Sequence, residues 1–193
     1  MLSIQQLIEI FNTKKYELYE QPFKLNILFI RSSREISNKF DDVIYWFWKD
    51  SNKKWNIKFA KCTTKSGLYY IKNPLSELGT ATLKTGQYID SHKIGLHKNK
   101  YTALVQTKTL PVWRDNDKDT WIDYKEFETG IFGINIHRAN AKLESTLVDD
   151  YSAACQVFAN PQSFKSFINQ CQIQRDNDYN YFTITLIDKK DLK

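Results

Sequence analysis

The sequence predicts a mainly β domain, a sandwich or an open barrel with short peripheral helices. Aromatic residues make up 15% of the 193 residues and fall with β-branched residues in short apolar runs, a composition that packs well on a pleated surface. Turn-forming residues separate those runs at roughly eight- to twelve-residue intervals. Helical periodicity is confined to the two ends of the chain, so the strand–helix alternation of a parallel α/β fold is missing.

Leu2 to Phe11 carries mixed helical periodicity behind Ser3, a plausible N-cap, which predicts a helix over roughly residues 3 to 15. It belongs to an N-terminal extension, 1–22, that either docks on the main domain, 23–193, or serves as an interaction element. Leu25 to Ile30 reads as a strand, and Val43 to Trp48 as a second, apolar on both faces. Lys54 to Ala60 alternates polar and apolar, predicting a strand with one solvated face. Asp50 to Lys53 between them has turn composition, so the pair reads as a hairpin. Ser32 to Asp41, the most polar stretch, reads as a loop. Strands are predicted near 80–84, 93–97 and 101–107, with Val112 and Trp113 extending the set. Ile131 to His137 is an apolar run predicted to form a central strand, with Cys155 on a turn near its end. Asn160 caps a helix with Pro161 at its first position, and Phe164, Phe167, Ile168 and Cys171 form one apolar stripe. Tyr181 to Ile187 is a final strand.

The formal net charge is +6, which favours an anionic partner. The lysines are scattered rather than gathered into an arm, so nucleic acid is not expected. Three cysteines, Cys62, Cys155 and Cys171, with no CxxC spacing, argue against a disulfide framework or a structural zinc site. Cys62 and Cys171 suit core packing. Met1 to Phe11 lacks the basic start and long apolar core of a secretory signal, and no run reaches membrane-spanning length. The default expectation is a cytoplasmic protein, released or virion-associated if it leaves the cell by other means. Oligomeric state is not legible.

Gly130 to Phe158 carries the parts of a thiol nucleophile and its base: His137 ends the apolar run, and Ser152-Ala153-Ala154-Cys155 follows a polar connection. A thiol needs a neighbouring base or positive field to ionise near neutral pH. Backbone N–H groups of a small-residue turn can hold an oxyanion, and Ser152 can bond the imidazole or the turn. The plainer alternative is a hydrogen-bonded core histidine and a buried cysteine. His92 and His97 flank Gly95 without HxH or HxxxH spacing, which favours solvated or strand-face histidines over a metal site.

His137, fourteen residues, then Ser152-Ala153-Ala154-Cys155 resembles the signature of the L,D-transpeptidase catalytic domain, the YkuD-like family. Thr64 to Ile71, TKSGLYYI, is similar to that family's TPxGxF-type stretch. Ala153-Ala154 stands where the family usually has His-Gly, and Lys65 replaces its proline. The resemblance implies an L,D-transpeptidase-like β fold with Cys155, His137 and Ser152 catalytic and Arg138, Ala154 and Gln156 at the substrate. It implies a cysteine-dependent hydrolase or transpeptidase acting on peptidoglycan stem peptides through a thioacyl enzyme. A phage lysis or wall-remodelling enzyme would fit, and no cofactor is required for catalysis. The alternative is a non-catalytic phage, virion or interaction protein that keeps the fold.

Asp115 to Glu126 resembles an EF-hand-type calcium loop, with alternate acidic residues able to aim several oxygens at one ion. The candidate ligands of a structural calcium are Asp115, Asp117, Asp119, Trp121, Asp123 and Glu126. Thr120 occupies the position that normally needs glycine, and a solvated acidic hairpin loop is the alternative.

Overall fold

The structure, a computed structural model, describes residues 1–36 and 38–192; Ser37, within the expected polar loop, and Lys193 lie outside the described residues. The chain is mainly β. Its strands are β1 (Asn26–Arg31), β2 (Asp42–Lys49), β3 (Trp55–Thr63), β4 (Thr80–Leu83), β5 (Gly86–His97), β6 (Tyr101–Gln106), β7 (Leu110–Asp115), β8 (Glu126–Gly130), β9 (Ile136–Arg138), β10 (Gln156–Phe158) and β11 (Tyr181–Asp188). The α-helices are α1 (Ile4–Thr13), α2 (Leu68–Lys72) and α3 (Pro161–Asp176).

Eight strands form a large mixed sheet that closes in the order β1-β11-β5-β6-β9-β10-β3-β2, and β4, β7 and β8 make a small second sheet. A sandwich or an open barrel was the expectation. Closure comes from the short strand β10, which pairs in parallel with β9 and antiparallel with β3 and so removes both free edges. Only three residues long, β10 carries no periodic signal of its own.

The two-sided apolar runs have a direct structural reason. Ile27 and Phe29 of β1 and Ile44 and Trp46 of β2 point into the main core. Leu28, Ile30, Tyr45 and Phe47 point outward, where Leu7 and Phe11 of α1 cover them. Both helix residues are fully buried, each contributing roughly 1.5–3 kcal/mol of apolar burial. The predicted helix starts where its cap demands: Ser3 Oγ accepts from Gln6 N and Gln6 Oε1 accepts from Ser3 N, a reciprocal capping box. The N-terminal stretch is thus docked on the barrel.

The alternation in β3 runs opposite to the simplest expectation. Ala60 and Cys62 face the core, whereas Ile57 and Phe59 are among the exposed apolar side chains. The outward apolar residues still find neighbours, Phe59 stacking on Tyr45 at 5.9 Å and Trp55 packing on Phe47 at 5.7 Å.

Helix α3 places Phe164, Phe167, Ile168 and Cys171 into the main core. Phe167 lies 5.6 Å from Trp46 and 5.2 Å from Phe158. Asn160 Oδ1 caps it by accepting from Gln162 N and Ser163 N.

The predicted strand over Ile131 to His137 is shortened to Ile136–Arg138. The Gln106 side chain takes the place of a ladder: its Oε1 accepts from Phe132 N and Ile134 N, and its Nε2 donates to Gly130 O. Gly133 adopts φ +72, which breaks the extended run.

Candidate active site

The parallel pairing of β9 and β10 sets the site. Val157 aligns with His137 and Gln156 with Ile136, so Cys155, one residue earlier, falls beside Asn135. With strands about 4.8 Å apart and a rise of about 3.3 Å per residue, the Cα atoms of Cys155 and His137 are roughly 8 Å apart. Strand alternation puts both side chains on the face opposite Ile136 and Phe158, away from the main core. Both line one cavity of about 390 Å3, with His97, Asn135, Gly133, Tyr70, Ala153 and Ala154 also in its wall. Lys98, Arg114 and Asp150 contribute the charged groups of that wall. Arg114 is paired with Glu128 at 2.8 Å.

The tautomer of His137 follows from its neighbours. Nδ1 lies 2.9 Å from the carbonyl of Arg138, which can only accept. Nδ1 therefore carries the proton, and the Tyr101 hydroxyl, 3.2 Å from Nδ1 and donating to the same carbonyl at 3.1 Å, completes the arrangement. That leaves Nε2 as the basic nitrogen. It is buried and has no hydrogen-bond partner among the described residues. His97 stacks on the imidazole with ring centroids 3.9 Å apart and planes inclined by 18°.

The Cys155 thiol donates to the Gly133 carbonyl at 3.4 Å. Burial pushes it up to about 11, although the Asn135 backbone N–H and the nearby Lys98 favour the thiolate. Burial, and then His97, hold His137 down at about 3, and burial holds His97 down at about 4. The resting site therefore contains a neutral thiol and a neutral imidazole. A thiol and an imidazole in these states could react only by proton transfer during attack, not through a preformed ion pair.

The turn bearing Cys155 is braced from beneath by the TKSGLYYI segment. Gly67 N donates to Ser152 O at 2.8 Å. A Cβ on Gly67 would lie 2.0 Å from Asp149 O, so only glycine lets the two backbones approach this closely. The Asn38 side chain clamps the same turn, donating to Asp149 Oδ1 at 2.6 Å and accepting from Asp149 N at 2.8 Å. Lys65 is buried, its Nζ 2.9 Å from Asp41 and 3.5 Å from Asp42, tying the segment to the start of β2 and the residue before it.

The remaining predicted site residues separate. Ala154 lines the cavity. Ser152 is fully buried and donates to Cys155 O at 2.9 Å, so it holds the turn and does not touch the imidazole. Gln156 points to the core side, donating to Ala154 O at 3.2 Å, and does not reach the cavity. Arg138 lays its guanidinium over the Tyr101 ring at 4.0 Å and borders a different groove, beside Lys165 and Phe164. His92 and His97 both lie on strand β5, in line with the strand-face reading rather than the solvated one, and both are buried. His92 Nε2 bonds Ile134 O at 2.8 Å, and His92 does not line the cavity. His97 and Tyr101 join the site without any local sequence signal, because only the β5–β6 hairpin brings them there, and Asn135 joins it from the residue just before β9.

Three aspartates of the acidic loop each commit an oxygen to the loop's own backbone. Asp115 accepts from Asp123 N at 2.9 Å, Asp117 from Asp119 N at 3.0 Å and Asp119 from Trp121 N at 2.6 Å. Asp123 pairs with Lys125 at 2.6 Å, and Glu126 stands opposite Arg114 at the start of β8. Among the described residues no three His, Cys, Asp or Glu side chains are gathered to hold a metal ion. The chain matches no protein-family model, no curated protein and no solved structure.

Proposed function

We propose that this protein is a cysteine-dependent acyl-transfer enzyme of L,D-transpeptidase type, acting on peptide bonds of peptidoglycan stem peptides, with Cys155 as nucleophile and His137 as base. One observation carries the reading: His137, which lines the same cavity as Cys155, anchors Nδ1–H on a backbone carbonyl and leaves its Nε2 buried and unpartnered. A core histidine would satisfy both nitrogens, as His92 does.

In this mechanism the thiol exchanges Gly133 O for His137 Nε2 as substrate enters. Sγ bonds to the carbonyl carbon while its proton passes to Nε2. Collapse of the oxyanion breaks the C–N bond, and the amine departs with the proton from His137, leaving a thioester. Water or an acceptor amine then attacks, returning a proton through His137 and releasing the thiol. Peptide N–H groups of the Ser152–Cys155 turn are the nearest candidates for the oxyanion. The peptidoglycan assignment rests on the resemblance of the His137–Cys155 and Thr64–Ile71 segments to that family.

Incubation with purified muropeptides, followed by mass spectrometry, tests the reading. The expected result is a cleaved or crosslinked stem peptide with wild type and none with Cys155→Ser or His137→Ala. Identical products from all three, or no thioacyl adduct and no turnover from wild type, would leave a non-catalytic interaction protein as the better reading.

A further inference from the structure

His137 is gripped from two sides by one hairpin. His97 closes β5 and pairs with Tyr101, which opens β6. The turn between them is tight, with Lys98 at φ 49 and Asn99 at φ 55. That turn delivers the Tyr101 hydroxyl to Nδ1 of His137 and the His97 ring to its face. We propose that His97, held by Asn135, is the positioning residue that keeps the His137 imidazole turned toward Cys155 and makes it the sole acceptor of the thiol proton. This rests on the assignment of Cys155 and His137 as nucleophile and base.

The second half of the proposal follows from hydrogen-bond directions. Asn135 Oδ1 accepts from Gln106 N at 3.0 Å, which fixes the amide orientation. Its NH2 group therefore faces His97 Nδ1, at 3.1 Å, and donates to it. Nδ1 of His97 cannot take a proton without breaking that bond, so the His97 proton stays on Nε2 and the ring stays neutral. A charged His97 stacked on His137 would oppose formation of the imidazolium; a neutral ring face tolerates it. Asn135 also offers its backbone N–H to the Cys155 thiol and its carbonyl to Gln156 N at 3.0 Å. One residue thereby ties the base, its support and the nucleophile together.

The groups facing His137 are the His97 ring, the Tyr101 hydroxyl, the Arg138 carbonyl with its guanidinium beyond and the Lys98 ammonium, with Cys155 in the wall of the same cavity. Removing the His97 ring opens His137 to water and lets it titrate nearer the usual histidine range, about 6.5. Alkylation of Cys155 should then lose its base at a higher pH than in wild type.

The experiment measures iodoacetamide labelling of Cys155 by peptide mapping, from about pH 5 to about pH 9, on the full chain. Wild type, His97→Ala, His97→Phe and His137→Ala are compared, with a melting curve for each. The proposal expects His97→Ala to slow labelling roughly tenfold near neutral pH and to move the acid limb of the profile upward. Phenylalanine keeps a flat neutral ring and should recover most of the rate and the wild-type profile. Wild-type rates and profile in His97→Ala, with His137→Ala slow, would overturn the proposal while leaving the nucleophile and base in place. Equal losses in the alanine and phenylalanine variants would overturn it too, since the stack would then not be the cause. A wild-type rate in His137→Ala would instead remove the underlying assignment. If His97→Ala does not fold, Asn135→Ala, which frees the ring without deleting it, takes its place; an unchanged rate there refutes the proposal.

Discussion

Replacing Gly67 with alanine should damage both stability and the candidate site, by an amount that can be worked out. The new Cβ would meet Asp149 O at 2.0 Å, Asp149 C at 2.7 Å and Asp149 N at 2.8 Å. All three are backbone atoms, so no side-chain rotation relieves the contact. Ordinary contact begins at 3.4 Å, so the two backbones must separate by about 1.4 Å along the shortest of these vectors. Overpacking of this kind costs about 1–3 kcal/mol. The separation also strains the Gly67 N–Ser152 O hydrogen bond of 2.8 Å, worth about 1 kcal/mol. A loss of about 2–4 kcal/mol corresponds to a fall in Tm of roughly 5–15 °C for a chain of this size. Because Ser152 holds the carbonyl of Cys155, the displacement should pass to the thiol and change its iodoacetamide labelling rate. Gly133→Ala is the control: it has φ +72 but no atom within 4 Å of a Cβ, so only backbone strain of roughly 1–2 kcal/mol applies. Thermal unfolding by circular dichroism and peptide-mapped labelling are the assays. A Gly67→Ala protein that melts with wild type and labels at the wild-type rate would refute the close approach and the bracing role of the segment.

Four further outcomes are expected. Cys155 should be alkylated in the native protein while Cys62 and Cys171, both fully buried, react only on unfolding; equal labelling of all three would return Cys155 to the core. Stability should fall as pH drops from about 6.5 toward 4, because His92, His97 and His137 are held neutral below the usual histidine value and the unfolded chain binds the extra protons; each contributes on the order of 1–2 kcal/mol between pH 7 and pH 5, read from urea midpoints, and a flat profile would contradict their burial. Lys65→Ala should cost about 3–5 kcal/mol, since it strands Asp42, itself buried, without its cation; a chemical denaturation curve unchanged from wild type would contradict it. Millimolar calcium should leave Tm unmoved, because Asp115, Asp117 and Asp119 each commit an oxygen to a backbone N–H of the loop and Asp123 pairs with Lys125; a rise of several degrees would establish a calcium site, since a ligand of the folded state alone must stabilise it.

Much of the architecture was legible in the residues. Ser3 and Asn160 announce their helices because a capping side chain acts on backbone within three residues of itself. The apolar stripe Phe164, Phe167, Ile168 and Cys171 and the two-sided runs of β1 and β2 record burial directly, since each face must be apolar to be covered. The spacing from His137 to Cys155 singled out two residues that line one cavity. Tertiary structure decided the rest. The run Ile131 to Asn135 is apolar yet not a strand, because Gln106, distant in sequence, takes its hydrogen bonds. Three-residue β10 is too short to show a period, yet it closes the barrel and sets Cys155 beside Asn135. Ser152, Gln156 and Arg138 sit near the pair in sequence and turn away from the cavity, while His97, forty residues before His137, lines it and Tyr101 reaches the His137 ring from behind. Local patterns report which residues are buried and where helices begin. Which side chains meet across strands is a matter of register, and register is settled only when the sheet closes.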